Sequence, residues 1–194
     1  MRIASLADPR RWLILAMVIA ACGQPPDQRG VTPKTPSTIT ARAENGATRL
    51  EIRTSAGTHY QVLVARDSTV APTSAPLRTE LIGEIPGVAF VLTDTYQSIP
   101  GGMSLCQAGE EQFLRVISVT HDPPRETLHL KTASCRDNIE LATPGIEWRA
   151  DSSIVRVHWL TGPKGGAEVR SIPIGRDGEP TALRARAPAD STPA

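Results

Sequence analysis

Between Arg49 and Ile174 the chain carries short runs in which apolar and polar residues alternate, and the runs are separated by Pro, Gly, Asp, Ser and Thr. A period of two places every second side chain on one face of an extended strand. No amphipathic helix is legible in this region. Leu50 and Ile52 alternate with Arg49, Glu51 and Arg53, and Tyr60, Val62 and Val64 follow the turn Ser55-Ala56-Gly57-Thr58, which predicts a hairpin. Residues 66–77 read as a loop. Leu81 to Ile85 form a short apolar patch assigned to the core, and Val88 to Leu92 a buried strand. Phe113 to Val119 is apolar on both faces apart from Arg115 and Ser118, as an interior strand requires. The segment His121-Asp122-Pro123-Pro124-Arg125 forces a turn, because two prolines cannot continue a ladder.

Leu128 and Leu130 then alternate with His129 and Lys131 on a returning strand. Ile139 and Leu141 make a short strand that stops at Thr143-Pro144-Gly145. A hairpin about Asp151-Ser152 sets Trp148 opposite Val155 and Ile146 opposite Val157, so Trp148 and Trp159 belong to the core. Residues 161–167 read as a flexible loop, and Val169 to Ile174 as an edge strand, marked by Pro173. Eight or nine short strands with one wet face predict an all-β domain, either a single antiparallel β-sandwich or a partly closed β-barrel.

The N-terminus is built differently. Arg2, Arg10 and Arg11 precede an apolar run from Trp12 to Ala21, which Cys22 closes. About ten residues span roughly half a bilayer core, too short for a transmembrane helix and suited to a secretory signal. Ile19-Ala20-Ala21-Cys22 resembles the lipobox of bacterial lipoproteins. The resemblance covers residues 1–22 and implies cleavage before Cys22 and lipidation of that cysteine. Gly23, where Asp would favour retention in the inner membrane, implies sorting to the outer membrane. Acyl chains on the cysteine sulfur and the new amino terminus together supply the double signal that stable anchoring needs.

The implied organisation is a signal peptide at 1–21, a lipidated, Pro-rich disordered tether at 22–46, a β domain at 47–176 and a disordered tail at 177–194. Pro25, Pro26, Pro33 and Pro36 give the tether a reach of about 50 Å. Once residues 1–21 are removed, 18 basic and 19 acidic residues remain, and so balanced a charge argues against nucleic acid as a partner. Assigning Cys22 to lipid leaves Cys106 and Cys135 as an even pair for one disulfide. Folding the hairpin about Pro123 places Cys135 opposite Glu111, and Gly109 gives Cys106 the freedom to double back.

No catalytic, metal or cofactor constellation stands out. His121-Asp122 sits in a proline turn rather than a catalytic dyad. His129 and His158 lie on the polar faces of separate strands, with no third ligand at metal-site spacing. Ser104 lacks the second glycine of a nucleophile elbow, and Gly162-Pro163-Lys164-Gly165-Gly166 is too short for a phosphate loop. Glu110-Glu111 reads as a rim pair. These residues point to a lipid-anchored cell-envelope protein, at the outer membrane and facing the periplasm or else the exterior, that acts as a non-catalytic module binding another envelope protein or an envelope component. The alternative is an envelope hydrolase or sugar-binding protein whose site converges only in three dimensions. The loops around Gly101, Gly102, Pro123 and Lys164 are the candidate binding residues. The edge strand at Val169 to Ile174 leaves dimerisation by strand pairing open.

Overall fold

The computed structural model describes residues 36–99 and 109–181. The described residues are all β, in ten strands: β1 (Thr38–Glu44), β2 (Ala47–Arg53), β3 (His59–Ala65), β4 (Arg78–Ile85), β5 (Ala89–Gln97), β6 (Glu110–Ser118), β7 (Arg125–Ser134), β8 (Glu140–Arg149), β9 (Ile154–Thr161) and β10 (Glu168–Pro173). They form three antiparallel sheets: a front sheet β1-β2-β3, a central sheet β4-β5-β6-β7 and a back sheet β10-β9-β8. The arrangement is sandwich-like, with no closed barrel.

The central sheet is covered on both faces, which explains why β5 is buried at every position before Gln97. Phe90, Leu92 and Ile117 pack forward against Leu50, Ile52, Val62 and Val64. Their neighbours Ala89, Val91, Leu114 and Val116 pack backward against Val155, Val157, Trp159, Ile172 and Ile174. The Trp159 indole donates to the Thr132 carbonyl at 2.8 Å, which satisfies its polar atom inside the core. Leu81 joins the front layer, and Ile82 and Ile85 the back layer, as the core assignment of that patch requires.

Several expectations about extent are corrected. The tether expected to run to residue 46 ends earlier, because β1 takes Thr38–Glu44 into the front sheet. Asn45 and Gly46 both have positive φ, 45° and 79°, the conformation of a two-residue hairpin turn whose twist matches the strands it joins. The segment 177–181, assigned to the tail, folds back on the domain. Ser118 and Thr120 hydroxyls donate to the Asp177 carbonyl, Thr127 donates to that of Gly178, and the Thr181 N–H donates to Pro173 O. Thr143-Pro144-Gly145 does not end a strand. It is a bulged kink inside β8, where the register jumps between Leu141 and Ile146. Two further bulges in the β6–β7 pairing shift Cys135 by one place, so that its N–H donates to Glu110 O instead of facing Glu111. The back-sheet hairpin has the expected register, Trp148 with Val155 and Ile146 with Val157.

Candidate functional site

The front face of the central sheet turns from apolar to ionic within one step. Leu92 pairs with Arg115 and Asp94 with Phe113, so Asp94 and Arg115 lie diagonally on the same face. Both side chains are fully buried. Arg115 Nε donates to Asp94 Oδ2 at 2.8 Å. Its Nη1 donates to Glu126 Oε1 at 2.5 Å and to the Ala65 carbonyl at 3.1 Å, which ties the guanidinium to β7 and to the front sheet. The Tyr96 hydroxyl donates to the same Asp94 oxygen at 2.7 Å and is 2.8 Å from Thr48 Oγ1, which accepts in turn from Arg66 Nε at 3.2 Å.

Burial raises the Asp94 carboxyl above the ordinary carboxylate range against the pull of Arg115 and Tyr96. It raises Glu126 in the same way, against Arg115. Burial opposes the charge on Arg115, and the carboxylates of Asp94 and Glu126 more than offset it, so the guanidinium stays protonated. Tyr96 is pushed upward by burial and by Asp94, which keeps its hydroxyl a donor. The network therefore fastens front and central sheets with a charge-assisted chain.

Nearer the surface, the His129 ring lies against Phe113 with centroids 5.0 Å apart. Desolvation and the Arg115 and Lys131 cations push the imidazole down to about 4. Lys131 Nζ is 2.6 Å from Asp137 Oδ2 and 3.3 Å from Asp67 Oδ1. Asp67 also accepts from the Thr69 N–H and hydroxyl. This corner is a closed set of ion pairs, and among the described residues no group of three His, Cys, Asp or Glu is arranged to hold a metal ion.

Of the candidate loop residues, Pro123 and Lys164 lie at opposite ends of the domain. Pro123 lies at the end of the domain formed by the β6–β7 turn, the β8–β9 turn and the segment 175–181, where the Ile174 N–H donates to Ser153 O. Lys164 follows β9 at the other end, beyond the pairing of Glu140 with Thr161. Gly101 and Gly102 lie outside the described residues, as do Cys22 and Cys106, and their flanks Ser98 and Gly109 bond to each other at the end away from Pro123. Of the expected disulfide pair, Cys135 is described, immediately after β7.

The histidines are also apart. His121 is in the β6–β7 turn 3.7 Å from Glu179, His129 is on the front face, and His158 is on the outward face of the back sheet, 3.0 Å from Glu147. Glu111 was expected at a rim and is instead fully buried, accepting from the Ser98 hydroxyl at 2.6 Å. Neither that carboxylate nor the Asp94–Arg115 chain was legible in local sequence, since each takes its partners from other strands.

Among the described residues Leu63, Leu77, Leu160 and Val169 are the exposed large apolar side chains, and the last two share one surface. On the outward face of the back sheet Val169 pairs with His158, and Leu160 stands two residues further along β9. Leu160 is 55% and Val169 62% exposed, neighbours on adjacent strands. Glu147, paired with Arg156, and the His158–Glu147 hydrogen bond border them. Comparison with protein-family models, curated proteins and solved structures yields no match for this chain.

Proposed function

We propose that this chain is a lipid-anchored cell-envelope protein whose β domain is a non-catalytic module that binds another envelope protein. The anchor rests on the lipobox-like Ile19-Ala20-Ala21-Cys22. The observation that carries the binding role is the exposed Leu160–Val169 pair on a sheet face bordered by Glu147, Arg156 and His158, the apolar-centre and polar-rim arrangement of a protein contact. Outer-membrane attachment facing the periplasm is the compartment this reading adopts.

The test is affinity capture from solubilised envelope with the chain from Gly23 onward. It is run beside a Leu160→Ser/Val169→Ser variant and a reduced, unfolded control. The reading expects a stoichiometric partner on the folded wild type that is missing from both controls. No such partner, or one retained by the double variant, overturns it.

A further inference from the structure

β10 is an edge strand, and its free side has a definite hydrogen-bonding pattern. The Ile174 N–H donates inward to Ser153 O, while the Pro173 carbonyl accepts from Thr181 N–H on the other side. Backbone groups alternate along a strand, so the N–H and C=O of Val169 and Ser171 point the same way as the Pro173 carbonyl, to the free edge. Among the described residues the Ile174–Pro180 bridge covers that side only at the C-terminal end of β10, and no strand borders Glu168 to Ile172 there. Pro173 sits where its missing N–H removes no ladder bond.

We infer that β10 pairs with β10 of a second copy of this chain, antiparallel about a two-fold axis at Val169. A two-fold contact must be self-complementary, and this one is. Val169 meets its own mate with two N–H···O bonds, and Ser171 faces Ala167 of the second copy. Glu168 falls opposite the second copy's Arg170, and Arg170 opposite its Glu168. Within one chain Arg170 already holds Glu168 at 2.7 Å and stacks on Trp159 at 5.1 Å, so both side chains stand in place for the cross-chain pairs. The joined back sheets form six strands, with Leu160 and Val169 of both copies in one apolar strip. Under the lipid-anchor reading, confinement to one membrane raises the effective concentration of β10 edges.

The test uses the purified chain from Gly23 onward, which retains every described strand, in sedimentation velocity. Glu168→Arg puts positive charge at both positions, and Arg170→Glu puts negative charge at both. Each variant alone is expected to sediment as monomer where wild type dimerises, and an equimolar mixture to recover the dimer. Val169→Cys, at the axis, is expected to form a disulfide-linked dimer on mild oxidation, whereas Leu63→Cys on the front sheet is not. A monomeric wild type with no Val169→Cys cross-link above the Leu63→Cys control overturns the inference. So does a mixture that stays monomeric while wild type dimerises. Purified protein alone is used, so the outcome is independent of whether an envelope partner is captured.

Discussion

Arg115 Nε donates to Asp94 Oδ2 at 2.8 Å with both side chains fully buried, and this pair joins the front and central sheets through Ala65, Tyr96 and Thr48. Removing one partner of such a pair leaves an uncompensated buried charge. Arg115→Met is expected to destabilise the domain by about 3–5 kcal/mol in denaturant unfolding. Adding Asp94→Asn to that variant should recover part of the loss, since an amide carries no charge. A loss under about 1 kcal/mol for Arg115→Met would contradict a structural role for the network.

Gly83 on β4 lets the Trp148 indole lie directly on the backbone, and a Cβ there would come within 2.5 Å of the ring. The ring is rigid and packed in the back core, so the clash cannot be relieved at a flexible tip. Gly83→Ala is expected to cost about 1–3 kcal/mol by overpacking. Gly57→Ala, with open space around it but φ +86°, separates backbone strain from packing. Intrinsic Trp fluorescence should shift in the Gly83 variant and stay fixed in the Gly57 variant.

His129 links stability to pH. The folded ring titrates at about 4, below its ordinary value of 6.5, so the unfolded chain binds the proton more readily. The stability this group contributes is complete above pH 6.5 and is lost as pH falls from 6.5 toward 4. The raised carboxyls of Asp94 and Glu126 act in the opposite sense, since their protonation is favoured in the folded state. Comparing wild type with His129→Gln isolates the imidazole. The difference in unfolding free energy should narrow on acidification through that window, and an equal pH slope for the two proteins would rule the linkage out.

The proposed Cys106–Cys135 disulfide closes a separation of 29 residues, worth about 3.5 kcal/mol in the chain-entropy model. Gly109 leaves room for the Cys135 sulfur, and an added Cβ there would lie 2.6 Å from it. Thiol titration of the exported, non-reduced protein is expected to find no free thiol at either position. Cys106→Ala/Cys135→Ala should lower the unfolding free energy by that amount, and Gly109→Ala should reduce the oxidised fraction. Two reactive thiols in the native protein would remove the pairing.

The parts of this fold that could be read from sequence are those in which alternation and turn chemistry agree locally. The β8–β9 hairpin is the clearest case, because Asp151-Ser152 supplies the turn and the Trp148 and Val155 sets share one face. β1 was hidden by composition: Thr38–Glu44 has Ile39 as its one large apolar residue, and the Asn45-Gly46 turn that pins it was the signal to weigh. Arg115 stood out only as a charge within an interior strand and Glu111 read as a rim residue, because burial of a charge depends on partners. Those partners, Asp94 and Glu126 for one and Ser98 for the other, reach them across strands. Bulges at Gln112–Phe113 and Val116–Ile117 decide which β7 side chains face forward, and no local pattern announces them. The exposed Leu160 and Val169 were legible only as alternating strand residues until the sheet order showed which face lay open.

The most direct measurement is incorporation of labelled fatty acid into the full chain expressed in a bacterium with a lipoprotein pathway. The account predicts label on the wild type, none on Cys22→Ala, and recovery of the wild-type protein in the membrane fraction. Unlabelled wild type, or label that persists on Cys22→Ala, would contradict the lipid anchor on which the proposed envelope role rests.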